Sequence, residues 1–291
     1  MPSFDVPEVD YTRYSNRQLA AVPLGVLALA LLVLAGWYVL YGTPVRLGIA
    51  FTGGTELTIH ATSAQAASQD AIRQAFSTPT TSIRAIPSRA DTYLVTFGSG
   101  IDVSTLQQQA RAANYEVVSV SSTSATFGSS TQQLALYGLT GSFVGMAVVV
   151  FVLFRTFVPS AAVVLSAFGD IVVPLALMNV FGIQLSLGTV AALLMLIGYS
   201  VDSDILLTNH VLRRSGSFYE SVHRAMTTGV TMTVTSIAAM TVMSLVAFLF
   251  GIDLLTSIGL VLVFGLVTDL VNTYMLNLSL LRWYKFEGVS R

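Results

Sequence analysis

LLMLIGYSVDSDILLTNH, residues 193–210, is the stretch whose reading decides the fold. It starts as an apolar segment suited to a membrane, and it carries two aspartates, Asp202 and Asp204, before the apolar run has ended. A carboxylate at the centre of a bilayer costs about 2.5–3.5 kcal/mol on insertion scales. An acid held there needs a proton, an ion, a buried partner or a water-filled path. The stretch is therefore read as a membrane helix with a functional polar face.

The composition agrees. Of 291 residues, 54% are hydrophobic and only 10% are charged, against about 25% charged in an ordinary soluble domain. This is the composition of a polytopic α-helical membrane protein. The net charge of −1 and the lack of a long charge run give no reason to expect a nucleic-acid partner. Cysteine is absent, which excludes disulfides, thiolate metal sites and thiol catalysis.

Working outward, residues 1–18 read as a polar cytoplasmic tail. Residues 19–41 form a first transmembrane helix, long enough to cross about 30 Å of hydrocarbon and read as a retained signal-anchor. Residues 42–131 have ordinary polarity and alternate between strand-like and helix-like patterns. Two strands are expected within 45–61 around a turn at Gly53 and Gly54, then a helix over 63–76. Strands at 81–86 and 92–97 flank a turn at 88–91, and a helix at 102–114 and a strand at 116–127 follow. The order β-α-β-β-α-β is that of a ferredoxin-like α+β domain, placed between the first and second transmembrane helices. Residues 132–281 hold five further spans, at 134–154, 158–181, 185–208, 228–250 and 254–281, and residues 282–291 form a second tail. Arg13, Arg17, Arg155, Arg213, Arg214, Arg224, Arg282, Lys285 and Arg291 all fall beside one end of these spans. The excess of Lys and Arg on cytoplasmic loops then puts both termini in the cytoplasm and the 42–131 domain outside a multi-pass cell membrane.

Asp170, Asp202, Asp204 and Asp269 lie within the spans, and no Lys or Arg is expected at comparable depth. At about 100° per residue, Asp202 and Asp204 point to nearly opposite helix faces. Asp204 shares its face with Ser200 and Thr208 by i,i+4 spacing, which makes it the better inward-facing site. The fifth span carries a threonine stripe, Thr228, Thr231 and Thr235, able to bond a carboxylate or line a wet crevice. His60, His210 and His223 have no second histidine at ligand spacing, so no metal site is expected. Gly53-Gly54 lacks the Lys-Ser/Thr of a phosphate loop, and no cofactor is expected.

One span, a ferredoxin-like domain and five clustered spans resemble the half-unit plan of resistance-nodulation-division transporters. Within that superfamily GIAFTGGTEL (48–57) resembles the signature of the SecF family of protein-export membrane proteins. LIGYSVDSDILLTNHVLRR (196–214), with Gly198 and Tyr199, resembles the family's fourth-span motif in its archaeal version. FGDIVV (168–173) and TDLVNTYMLN (268–277) occupy the places of its third- and sixth-span motifs. The chain departs from the bacterial pattern: Ala50 replaces an Asp, Gly169 a His, Ser203 the fourth-span Asp, and Thr231-Met232 the fifth-span Arg.

The resemblance implies a non-enzymatic accessory of protein export that pairs with SecD, assists the Sec translocon and contacts the translocating polypeptide and membrane lipid. It also implies the use of an ion gradient, with Asp204, Asp202, Asp170, Asp269, Ser203, Thr231 and Thr235 as the ion-coupling candidates. Three other functions fit fewer of these residues: a passive SecD-binding scaffold, a small-molecule or lipid exporter of the same superfamily, and an intramembrane aspartyl protease.

Overall fold

The computed structural model describes residues 10–63, 67–86, 89–213 and 217–288. Helix α1 (Asn16–Tyr41) opens with a capping box: the Ser15 hydroxyl accepts from the Gln18 N–H, and the Gln18 side chain accepts from the Ser15 N–H. Next come α2 (Ile49–Thr52), β1 (Gly54–Ala61), α3 (Gln69–Ala75), β2 (Thr80–Ala85), β3 (Thr92–Phe97), α4 (Val103–Ala112) and β4 (Tyr115–Thr123). The bundle consists of α5 (Ala125–Phe154), α6 (Phe157–Phe181), α7 (Leu187–Arg213), α8 (Phe218–Leu249) and α9 (Asp253–Val271). A π-helical turn, Asn272–Asn277, continues α9 into α10 (Leu278–Trp283). Among the described residues six helical runs are long and apolar enough to cross a membrane: α1, α5, α6, α7, α8 and the run through α9 and α10.

The sheet has the order β2-β3-β1-β4 with every neighbour antiparallel, which is the split βαβ arrangement expected from the sequence. Its alternation is strict where it matters. Leu57 and Ile59 of β1 and Val95 and Phe97 of β3 point to one face, where Ile72 of α3 and Leu106 of α4 cover them. The opposite face carries the cross-strand hydroxyl pair Thr58 with Ser119, and Thr55 with Ser122 closes the end of the apolar face.

The structure departs from the sequence reading at several edges. Residues 45–52 do not form a first strand. Ile49–Thr52 is a short helix, and the chain before it is clipped to the bundle: Gly48 N–H donates to Leu185 O at 2.9 Å, and Leu185 N–H donates to Arg46 O at 2.7 Å. The strand expected to 127 stops at Thr123, because Ser124 caps the next helix through the Phe127 N–H. The second span, expected from 134, starts at Ala125. Its first turns are polar and their Ser129, Ser130, Gln132 and Gln133 are exposed, with Gly128 and Thr131 buried between them, so hydropathy does not reveal them. Of the helix expected over 63–76, Gln69–Ala75 is helical behind an N-cap at Ser68, and residues 64–66 lie outside the described residues. Ser88 of the expected turn and Arg214 and Arg291 also lie outside them.

Gly53 and Gly54 form a crossing point rather than a simple turn. Their φ angles are +71° and +127°, a region costly for any residue with a Cβ. A Cβ on Gly53 would lie 2.7 Å from Ala125 Cα, and one on Gly54 would lie 2.4 Å from Phe97 O. The pair thus lets α2, β1 and the start of α5 meet backbone to backbone.

In the bundle α6 is the most enclosed helix, with 67% of its apolar window buried. Two apolar clusters lie along the axis. Towards the sheet domain, Met178 of α6, Leu193 and Leu196 of α7 and Leu262 and Leu266 of α9 pack together. At the other end Tyr11, Leu207, Val211, Phe218, Val222 and Leu278 do so. Between these two clusters sit buried polar residues.

Candidate functional site

Three of the four candidate aspartates converge between the apolar clusters. Asp170, Asp204 and Asp269 are each no more than 1% exposed. Asp170 Oδ2 accepts from Ser200 Oγ at 2.5 Å, and its Oδ1 accepts from Asn272 Nδ2 at 2.7 Å. Asp204 Oδ1 accepts from Asn277 Nδ2 and Thr273 Oγ1, both at 2.8 Å. Asp269 Oδ1 accepts from Ser203 Oγ at 2.8 Å and lies 3.2 Å from Thr273 Oγ1. Thr273 has one hydroxyl proton, so it bridges the two acids and serves one at a time.

These carboxylates are held by neutral donors. Among the described residues the ion pairs are at Arg13, Arg73 and Arg224, and none of them involves the three acids. No group of three or more His, Asp or Glu among the described residues is arranged as metal ligands.

The backbone explains how α9 supplies so many partners. In an α-helix residues five apart diverge by about 140°, which would turn Asn277 away from Asn272. Winding Asn272–Asn277 as a π-helical turn, with i→i+5 bonding, stacks residues five apart, and such turns are frequent at functional sites. Asn272 and Asn277 thereby reach Asp170 and Asp204 from one face. Gly169 is the other permissive residue: a Cβ there would lie 2.6 Å from Asn272 Nδ2. The bacterial-type His at this position is therefore incompatible with Asn272 as placed.

The remaining candidates fall elsewhere. Ser203 is half-buried and joins the cluster through Asp269. Asp202 is exposed on the outer face of α7, together with Gly198 and Tyr199, as the opposed helix faces required. Thr231 and Thr235 lie outside the cluster. Their hydroxyls donate to the carbonyls of Thr227 and Thr231, one turn back on their own helix. Gly53 and Gly54 belong to the sheet-domain crossing. The sequence reading missed Asn272, Thr273 and Asn277, although Asp269, Thr273 and Asn277 are spaced i, i+4, i+8 and form a visible polar stripe.

Asp202 and Ser203 line a crevice of about 110 Å³ between α7, α8 and α9, with Tyr199, Gly229, Thr233 and Leu266 among its walls. It runs from the outer face of α7 to the edge of the acid cluster.

A six-span bundle with an inserted ferredoxin-like domain and a buried carboxylate cluster on its central helices defines a polytopic α-helical membrane protein. Residues 102–287 match the family described as protein export membrane protein SecD/SecF, C-terminal. A SecF protein-export membrane protein of Haloferax volcanii is 67% identical over 292 residues, covering 100% of both chains. One from Methanocaldococcus jannaschii is 37% identical, over 92% of this chain and 95% of its own. The crystal structure of SecDF, a translocon-associated membrane protein from Thermus thermophilus, superposes with a TM-score of 0.74 at 21% identity. That match covers 96% of this chain and spans 39% of the longer one. The chain belongs to the SecF family of protein-export membrane proteins.

Proposed function

We propose that this SecF-family subunit pairs with a SecD-type half-unit in the cell membrane and uses an ion gradient to promote movement of polypeptides through the Sec translocon. The observation that carries this reading is the buried cluster of Asp170, Asp204 and Asp269 at the meeting of α6, α7 and α9, held without a cationic side chain among the described residues. Three acids enclosed this way make the packing of three membrane helices depend on what neutralises them.

The same helices connect to the sheet domain. Asn179 near the end of α6 donates through Nδ2 to Pro44 O and accepts from Arg46 N–H. Arg84 of β2 donates to Gly182 O just beyond α6. A shift of α6 therefore has a short, hydrogen-bonded route to the domain that meets the emerging chain. Arg13, Arg17, Arg155, Arg224, Arg282 and Lys285 all lie at the bundle end away from the sheet domain, which supports cytoplasmic termini and an extracytoplasmic domain. Pairing with a SecD-type half-unit is supported by Asp202, an acid exposed at membrane depth on α7. A partner's polar group there would remove the cost of leaving it against lipid.

The test is export by reconstituted vesicles carrying the SecD-type partner, with and without an ion gradient. Asp204→Asn is expected to abolish the gradient-dependent part of export while leaving the complex assembled. Unchanged gradient dependence in Asp204→Asn, Asp170→Asn and Asp269→Asn alike would leave the protein as a passive scaffold.

A further inference from the structure

We propose that the cavity between the end of α1 and the sheet domain binds the phosphodiester headgroup of a membrane lipid, with the Arg46 guanidinium as its anion receptor. The inference goes beyond the export reading above and does not depend on it.

The cavity has a volume of about 720 Å³, within the range of small-molecule sites. One wall is the last turn of α1, with Trp37 and Tyr41, and another is formed by β2, β3 and the turn that follows β3. Spacing i,i+4 puts Trp37 and Tyr41 on one helix face, and their rings stack with centroids 4.4 Å apart. Trp and Tyr at the end of a membrane helix mark the depth of the lipid headgroups. A ligand that fills this cavity therefore sits level with lipid phosphates, on the side of the membrane that carries the sheet domain.

Arg46 gives the cavity its charge. Its backbone is pinned on both sides: the N–H donates to Asn179 Oδ1 at 3.1 Å, and the carbonyl accepts from Leu185 N–H at 2.7 Å. Its guanidinium carbon lies 4.6 Å from the centroid of the Trp37 ring. Stacking of this kind positions the group and leaves its N–H donors available. Among the described residues no carboxylate pairs with Arg46, and none that lines the cavity is acidic. The forked donors of arginine match phosphate oxygens, and one cation with no acid matches the single negative charge of a phosphodiester. Gln184, Thr81 and Ser99 add a carboxamide and two hydroxyls to the walls. Thr81 is the extra residue where the β2 register shifts, a feature over-represented beside sites. Cavities at the other end of the bundle include acids, Asp10 and Glu220 in one and Glu287 in another, which disfavours an anion there. Because its walls belong to α1 and to the sheet, a lipid bound here ties the sheet domain to the membrane surface.

The experiment uses the fluorescence of Trp37. The chain has two tryptophans, so Trp283→Phe leaves Trp37 as the sole reporter. The full chain with that substitution, in non-ionic detergent micelles, is titrated with phosphatidylglycerol, with diacylglycerol and with inorganic phosphate. Phosphatidylglycerol is expected to shift the emission saturably, and the other two to leave it unchanged. Arg46→Gln is expected to raise the half-saturating concentration about tenfold. Since Arg46 touches the reporter, Thr81→Val combined with Ser99→Ala serves as a second variant, expected to raise it about threefold. A titration that both variants leave unchanged overturns the proposal, as does an equal response to diacylglycerol or no saturable response to any probe. A response to inorganic phosphate equal to that of the lipid makes this a free-anion site, and the lipid assignment falls. It falls equally if an unfolded, phosphate-free polypeptide gives the saturable shift and phosphatidylglycerol does not.

Discussion

At the residue scale the structure turns on atoms with little freedom. Gly54 is the sharpest case, since a Cβ would meet the Phe97 carbonyl at 2.4 Å with φ at +127°. Backbone cannot yield as a flexible side chain does, so Gly54→Ala is expected to cost about 2–3 kcal/mol, read as a lowered denaturation midpoint. Glu56 on the same strand offers a pH test. Burial is the largest influence on it and pushes its carboxyl above the usual value, with Asp253 acting the same way and Arg84 against them. The folded state therefore binds this proton more tightly than the unfolded chain. The ionised group opposes folding above the folded-state value, and stability rises as pH falls from there towards 4.5. Glu56→Gln is expected to raise the melting temperature at neutral pH and to flatten its rise on acidification. At this scale the sequence separated Asp202 from Asp204 correctly, because 100° per residue is a property of any helix. It misjudged the partners. Threonine in a helix satisfies itself on the carbonyl one turn back, as Thr231 and Thr235 do. The carboxamides of Asn272 and Asn277 reach across to α6 and α7 instead, so they were the better signal.

At the scale of elements, existence and order were legible and edges were not. The four strands and two helices of the inserted domain follow from alternation and capping residues. IAFT at 49–52 reads as strand from its local pattern, and its helix is imposed by tertiary contacts that clip residues 44–48 to the bundle. The start of α5 was hidden because its first turns are polar and exposed and carry no hydropathy signal. The clip itself is testable. Asn179 is 2% exposed and satisfies two backbone groups of the linker, Pro44 O and Arg46 N–H. Asn179→Leu fills the space but leaves both unpaired, at about 1–3 kcal/mol for each that stays dry. Faster hydrogen exchange across residues 44–52, with the sheet strands protected as before, is the expected readout. Equal exchange in variant and wild type would mean that the Gly48–Leu185 bonds alone hold the linker.

At the scale of the whole molecule, burial is lopsided between the central and the outer helices. The central helices α6 and α7 are 67% and 56% buried over their apolar windows, while α1, α5 and α8 are buried over 17% or less. Apolar exposure on α1, α5 and α8 suits lipid and needs no protein cover. The outer face of α7 is different, since Asp202 is exposed there beside Gly198 and Tyr199. Nothing lies within 4 Å of where a Cβ on Gly198 would point, and a small residue beside an acid lets another helix approach closely and bring a polar group. A photo-crosslinking residue at Tyr199, which is 43% exposed, is therefore expected to capture a SecD-type half-unit in native membranes. The same residue at Leu32 on α1, which is 69% exposed, is expected to capture lipid. If the proposed partner neutralises Asp202, Asp202→Leu is expected to reduce the Tyr199 product while leaving the chain folded and the Leu32 result unchanged. Equal capture at both positions would place the pairing surface elsewhere. Loss of the Tyr199 product together with a loss of thermal stability would instead assign Asp202 to the fold of this chain.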